Sequence, residues 1–264
     1  MIKAAFFDVD GTIVSFKDHK LIPSAIEAIN KLREKNIKVF VATGRALFQL
    51  DYILDNLKLD GLVTLNGCNS FIDSEEIFRA HLHKDDLYRL SEYLEKNNNP
   101  FSCNLITKND IYINAFTKEV LDMYREFNIT VPKIVNFKEY INKNYSDILQ
   151  INLFVNKEKE EELMKEIFIN SEATRWADSF ADINCKGITK ITGVLKIIEH
   201  FNIDISETIA FGDGGNDFTM IQNVGIGVAM GNANEHLKEV ADYITDNVDD
   251  DGVYKALKHF NIIE

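Results

Sequence analysis

Hydrophobic and polar positions along the chain follow two rhythms. KAAFFDVD is an apolar run that reads as a buried strand. IPSAIEAINKLREKN follows, with Ile22, Ala25, Ile26, Ile29 and Leu32 on one apolar stripe at helical spacing. Ser24 and Glu27 stand at capping-box spacing near its start. IKVFVATGR predicts a second strand ending in Thr43-Gly44, LFQLDYILDNL a helix, and GLVTLNG a third strand. Strand and helix alternating through short connections predict a parallel sheet.

The last third returns to that pattern. ITKITGVLKIIEHF is helical, and ETIAFGDGGND is a strand running into a Gly-rich turn. FTMIQNV, ANEHLKEVA and DGVYKALKHF predict helices, with VGIGVAM and DYIT as strands between them.

The middle differs. From Leu82 to Asp182 the pattern predicts helices at KDDLYRLSEYLEK, KEVLDMYREF and KEKEEELMKEIF. Strands are predicted at FSCNLI, DIYINAF, ILQINLFV, EATRWA and SFADIN. Adjacent strands without intervening helices predict an antiparallel sheet with helices on one face. The expected fold is therefore a doubly wound, Rossmann-like α/β core, residues 1–81 and 184–264, split by an α+β cap, residues 82–183.

Chemistry gathers at the predicted strand ends, outside which open parallel sheets bind their ligands. If the first strand continues through FFDVDGT, Phe6, Asp8 and Asp10 face one way and Phe7 and Val9 the other. Two acids on one face repel and lose solvation, and a cation between them relieves both penalties. Thr43-Gly44 ends the second strand beside a helix N-terminus that suits an anion. Gly212-Asp213-Gly214-Gly215-Asn216-Asp217 ends a later strand, and Lys190 opens the helix after Gly187-Ile188-Thr189. Four acids, one lysine, a threonine and an asparagine thus converge. Their ligands are oxygens, without a His/Cys cluster, which disfavours zinc and matches the habit of Mg²⁺. The reading is a magnesium site that handles phosphoryl groups.

Bulk properties narrow the partners. The 264 residues carry a net charge of −13, which argues against a nucleic-acid partner. Cys68, Cys103 and Cys185 are odd in number and form no CxxC pair, which fits reduced thiols in the cytoplasm. The N-terminus does not read as a signal peptide, and no apolar run approaches a membrane span. Nothing in the sequence specifies an oligomeric state.

FFDVDGT, VATGR, KGITK and FGDGGND resemble, in order, the four motifs of the haloacid dehalogenase superfamily of phosphohydrolases. The insertion resembles the α+β cap of its Cof-like sugar-phosphatase branch. The resemblance implies a phosphatase of small phosphorylated metabolites in which Asp8 attacks phosphorus and Asp10 shuttles the proton. It implies Mg²⁺ held by Asp8, the Asp10 carbonyl and Asp213, with Asp217 as ligand or support. Thr43, Gly44 and Lys190 would hold phosphoryl oxygens, and Asn216 would orient them. Cap residues would set specificity, with Trp176, Asp178 and Asp182 as candidates.

Other features carry less. GIGVAMG places its last glycine one residue late for a dinucleotide fingerprint. DVDGT lacks the rest of an EF-hand, since position twelve from Asp8 is His19. His81 and His83 read as hinge or surface residues, and Cys185 as structural. Asn66-Gly67 fits a turn, a hinge or a substrate contact. Three rivals share the acid pair: a phosphomutase, a response-regulator-like phospho-acceptor, and a binding protein without turnover. The receiver reading fits poorly, because such domains are about half this length and have no inserted cap.

Overall fold

The computed structural model describes residues 1–126, 131–177 and 179–264, with no side-chain account of Glu126, Trp176 or Ala177. The chain forms two compact units: residues 1–79 with 189–264, and residues 80–188.

The first unit is built on an eight-stranded sheet. Its strands lie in the order Tyr243–Ile244, Ile226–Ala229, Thr208–Gly212, Ala4–Phe7, Lys38–Ala42, Gly61–Thr64, Asn69–Ile72, Glu75–Arg79. The first six run parallel, and the last two pair antiparallel. Ala4–Phe7 is buried on both faces, which is why its sequence is a continuous apolar run. Ala5 and Phe7 join Ile29, Leu32 and Leu257 on one side; Ala4 and Phe6 join Val194, Ile197 and Ile221 on the other. Helices therefore cover both faces, as the expected doubly wound fold requires. Successive strands proceed in one direction from Ala4–Phe7 and the later ones in the other, so the switch point lies at this strand's carboxyl end.

Several local expectations are corrected. Ser24 caps nothing: the helix Pro23–Glu34 starts after Ile22, and the Ser24 hydroxyl donates to Asp251 Oδ1 at 2.6 Å. Pro at the first position supplies the start instead. The helix expected over LFQLDYILDNL divides into a 3₁₀ turn, Leu47–Gln49, and a short α-helix, Asp51–Asn56. The hairpin of Asn69–Ile72 and Glu75–Arg79 was not predicted; its turn puts Asp73 and Ser74 in the left-handed region.

The second unit has a six-stranded sheet ordered Ser171–Ala177, Phe180–Cys185, Ile148–Leu153, Cys103–Thr107, Ile111–Ile113, Lys133–Ile134, antiparallel except for the last pair. Helices Lys84–Lys96, Phe137–Asn144 and Lys157–Glu166 pack Leu87, Leu90, Ile141 and Leu163 against Leu105, Ile151 and Ile183. The helix at Phe137–Asn144 had no expectation behind it. Helix Lys118–Glu126 instead packs Val120 and Tyr124 on Ile113, and Asn104 Nδ2 donates to the Tyr124 hydroxyl at 2.8 Å. Asn104 pairs with Ile113 and alternates with Leu105, so this helix lies on the opposite face. Helices on one face only was therefore too simple.

His83 caps helix Lys84–Lys96, with Nδ1 accepting from the Asp85 amide at 3.3 Å, and His81 meets Tyr145 edge-on. Both are structural here. Asp182 is buried and accepts from Asn152 Nδ2 at 2.6 Å. Asp178 and the Trp176 side chain fall outside the described residues.

Candidate active site

The first strand stops at Phe7, one residue before the acids. Asp8 continues the sheet only through its amide, which donates to the Phe211 carbonyl at 3.0 Å. The chain then folds tightly: the Val9 carbonyl accepts from the amides of Thr12, Ile13 and Val14. Gly11 has φ of +80°, and a Cβ there would lie 2.2 Å from Asp213 Oδ2. Both the backbone angle and the carboxylate demand glycine.

This turn corrects the expectation that Asp8 and Asp10 share a strand face. Alternation holds only while the backbone stays extended. Asp8 is buried, whereas Asp10 turns to a half-buried ion pair with Arg45. Arg45 Nε donates to Asp10 Oδ2 at 2.9 Å and its Nη2 to Oδ1 at 2.6 Å, a two-pronged fork. The four acids thus separate into three and one.

The three are Asp8, Asp213 and Asp217, each offering one carboxylate oxygen within 4.8 Å of the others. Lys190 is fully buried, and its Nζ donates to Asp8 Oδ1 and to Asp217 Oδ1, both at 2.6 Å. Asp217 Oδ2 accepts from the amides of Asp213 and Gly214 at 3.0 and 2.9 Å. Asp217 is therefore engaged by three donors, and it fixes Lys190 and the 213–214 turn in place. Asp213 Oδ2 accepts from Asn232 Nδ2 at 3.0 Å.

Three carboxylates around one ammonium leave negative charge uncompensated. Burial works against the charge on Lys190, but Asp217 and Asp8 outweigh it and hold its pKa above the usual lysine range. Burial raises Asp8 well above the usual carboxylate range; Lys190 opposes this, while Asp217, Asp213 and Asp10 add to it. Burial and Asp217 together push Asp213 up to about 7. A divalent cation among these carboxylates would relieve the repulsion between them. Oxygen donors and excess negative charge fit a hard cation such as Mg²⁺.

This has a measurable sign. Asp213 in the folded chain keeps its proton between its ordinary 3.8 and about 7, whereas an unfolded chain loses it in that window. The folded form binds more protons there, so its stability falls as pH rises through about 7. In chelator-treated protein the melting temperature of wild type relative to Asp213→Asn should fall across this range. A difference that is flat or rises with pH would contradict the proton assignment.

The remaining expected residues ring this cluster. Thr43 is buried, its amide donating to Val63 O at 2.9 Å and its Oγ1 accepting from the Arg45 amide at 3.1 Å. Asn216 Nδ2 donates to Asn66 Oδ1 at 3.0 Å, and that amide lies against Gly44. Thr189, just before Lys190, accepts a hydrogen bond from Thr219 Oγ1 at 2.9 Å, which ties the start of helix Lys190–Phe201 to helix Phe218–Asn223. Thr12 Oγ1 is buried without a hydrogen-bond partner among the described residues.

Two residues escaped the sequence reading. Arg45 stood inside VATGR, yet only its contact with Asp10 shows its part. Asn232 gave no signal: its Nδ2 also donates to Gly11 O at 2.9 Å, and its Oδ1 accepts from the Val248 amide at 2.8 Å. It joins the acid turn, the Asp8 loop and the 248–250 turn.

Comparison with known proteins agrees with this architecture. The sequence profile of the haloacid dehalogenase-like hydrolases matches residues 5–257. The sugar phosphatase BT4131, of HAD subclass IIB, is 38% identical, with a TM-score of 0.89 over 99% of this chain and 100% of its own. The phosphatase BT1666 from Bacteroides thetaiotaomicron is 36% identical, with a TM-score of 0.91 over 100% of this chain and 96% of its own. The 5-amino-6-(5-phospho-D-ribitylamino)uracil phosphatase YcsE of Bacillus subtilis is 30% identical over 98% of this chain and 96% of its own. The chain belongs to the haloacid dehalogenase-like hydrolases, and its activity is that of a phosphatase of the Cof-like type. Among the described residues no helix is long and apolar enough to cross a membrane.

Proposed function

We propose that this chain is a Mg²⁺-dependent phosphomonoesterase of small phosphorylated metabolites, sugar phosphates foremost, working through an aspartyl-phosphate on Asp8. The observation that carries the reading is the buried Asp8–Lys190–Asp217 array beside Asp213, at the sheet's switch point. Support for the substrate class comes from the relatives, a sugar phosphatase and a phosphatase of a phosphoribityl compound. Cys68, Cys103 and Cys185, odd in number and without a CxxC pair, fit a reducing compartment, and the cytoplasm is the proposed location.

Asp8 is the nucleophile. Its carboxylate oxygen bonds to phosphorus as the bond from phosphorus to the alkoxide oxygen breaks. Asp10 gives that oxygen a proton and later takes one from the water that hydrolyses the acyl phosphate, releasing phosphate and restoring Asp8. Arg45 holds Asp10 by both oxygens, so Asp10 must leave this pair to serve as donor. Lys190, Thr43 and Gly44 bind the phosphoryl oxygens, and Asn216 orients them. The Asp8 and Asp213 carboxylates and the Asp10 carbonyl would hold Mg²⁺, with Asp217 bracing them. Bound there, the ion would offset repulsion between the carboxylates and the incoming phosphoryl group.

The test is phosphate release from hexose, pentose, triose and nucleotide monophosphates, with Mg²⁺ and after thorough chelation. Release from sugar phosphates that stops with EDTA and returns with Mg²⁺ is expected. Release untouched by chelation would remove the metal, and an isomerised sugar phosphate without free phosphate would make the protein a mutase.

A further inference from the structure

The turn Leu65-Asn66-Gly67 has no part in the mechanism above, yet its backbone is the most unusual in the first unit. Three successive residues have positive φ: 51° at Leu65, 55° at Asn66 and 99° at Gly67. A left-handed leucine is an outlier, and such strain persists only where its surroundings over-determine it. Those surroundings are the catalytic loops. The Leu65 amide donates to Arg45 O at 3.1 Å and the Asn66 amide to Thr43 O at 3.0 Å. Gly67 presses on the residue before Lys190, where a Cβ would lie 2.0 Å from the Thr189 carbonyl oxygen. The Asn66 side chain is buried; its Oδ1 accepts from Asn216 Nδ2, and a Cβ on Gly44 would come within 3.1 Å of that same oxygen.

One three-residue turn therefore touches the Thr43-Gly44 loop, the start of the Lys190 helix and the 213–217 turn. We propose that Asn66 is a positioning residue for the phosphoryl group, setting the direction of the Asn216 amide and backing the Thr43-Gly44 loop. The inference rests on the phosphatase reading. The residue type follows from the geometry. Asparagine tolerates the left-handed region better than other side-chain-bearing residues do. Its amide oxygen is a neutral acceptor, whereas aspartate would bring another negative charge to a site that already gathers three carboxylates.

Asn66→Gly separates backbone from side chain, because glycine keeps the left-handed turn and loses the amide. Inorganic phosphate titrated calorimetrically into the Mg²⁺-loaded variant should bind roughly tenfold more weakly than to wild type. The rise in melting temperature caused by Mg²⁺ without phosphate should be unchanged. Asn66→Asp should lose more, through repulsion of the dianion. Since Asn66 acts in part through Asn216, the loss in Asn66→Gly with Asn216→Ala should be smaller than the product of the two single losses. Phosphate affinity within about twofold of wild type in Asn66→Gly would overturn the proposal. So would multiplying losses in the double variant, or a parallel loss of the Mg²⁺ response. A wild type that releases phosphate while Asn66→Gly binds it normally defeats this inference alone; a wild type that releases none defeats the phosphatase reading.

Discussion

Replacing Asp8 with asparagine should lower phosphate release by about six orders of magnitude, on the scale seen when a covalent nucleophile is removed. The fold should survive. In the metal-free chain Asp8 is buried against one lysine, and its pKa is raised by burial and by the neighbouring acids. An amide there removes one charge from an over-charged cluster, while Lys190 keeps Asp217 at 2.6 Å. Circular dichroism should match wild type, and the melting temperature without Mg²⁺ should stay level or rise. The stabilisation that Mg²⁺ adds to wild type should shrink, since one oxygen donor to the ion is lost. Substantial residual turnover would remove Asp8 from the nucleophile role. A collapse of the metal-free fold would mean that the carboxylate is a structural keystone instead.

Lys190→Met should do the opposite to stability. The ammonium is the buried counter-charge of both Asp8 and Asp217, whose side chains are 8% and 0% exposed. Removing one partner from a buried pair costs about 3–5 kcal/mol, because the remaining charge is left unpaired. The acids can escape by taking up protons, so the loss should be smaller at pH 5 than at pH 8. Mg²⁺ should recover part of it by supplying positive charge to the same carboxylates. Turnover should fall by about a hundredfold or more even at saturating Mg²⁺, since phosphoryl oxygens lose a fixed cation. Urea unfolding at the two pH values, with and without Mg²⁺, measures the stability arm. A variant as stable as wild type at pH 8 would show that Lys190 does not carry this balance.

The acids were legible because they break a local rule. Carboxylates at the end of the apolar run AAFF, and again after TIAFG, make no sense as core and little as loop. Position in a parallel sheet then brings strand ends together, so Asp8, Thr43 and Asp213 could be grouped without coordinates. The strand Ala4–Phe7 and the helix Lys84–Lys96 were equally plain, being one long apolar run and one clean helical stripe. The hairpin Asn69–Arg79 was hidden, because its outer strand is an edge with no strongly apolar face. Ser24 had the composition of a cap, but Pro23 had already begun the helix.

What the sequence by itself determined is the doubly wound order of strands and helices, and which chemical groups stand at the strand ends. Both follow from periodicities of two and 3.6 residues, which any short window reveals. Partnership was decided only by the tertiary structure. Lys190 meets Asp8 across 182 residues, and Asn232 meets Gly11 across 221. Asp10 leaves its neighbour for Arg45, 35 residues on, because the strand ends at Phe7 and the turn after it redirects the side chain. Ion pairs and hydrogen bonds act over a few ångströms in space, and the chain's path between distant segments sets those distances. No local periodicity encodes that path, so the sequence could name the charged groups but not divide them into the clustered three and the one paired with Arg45.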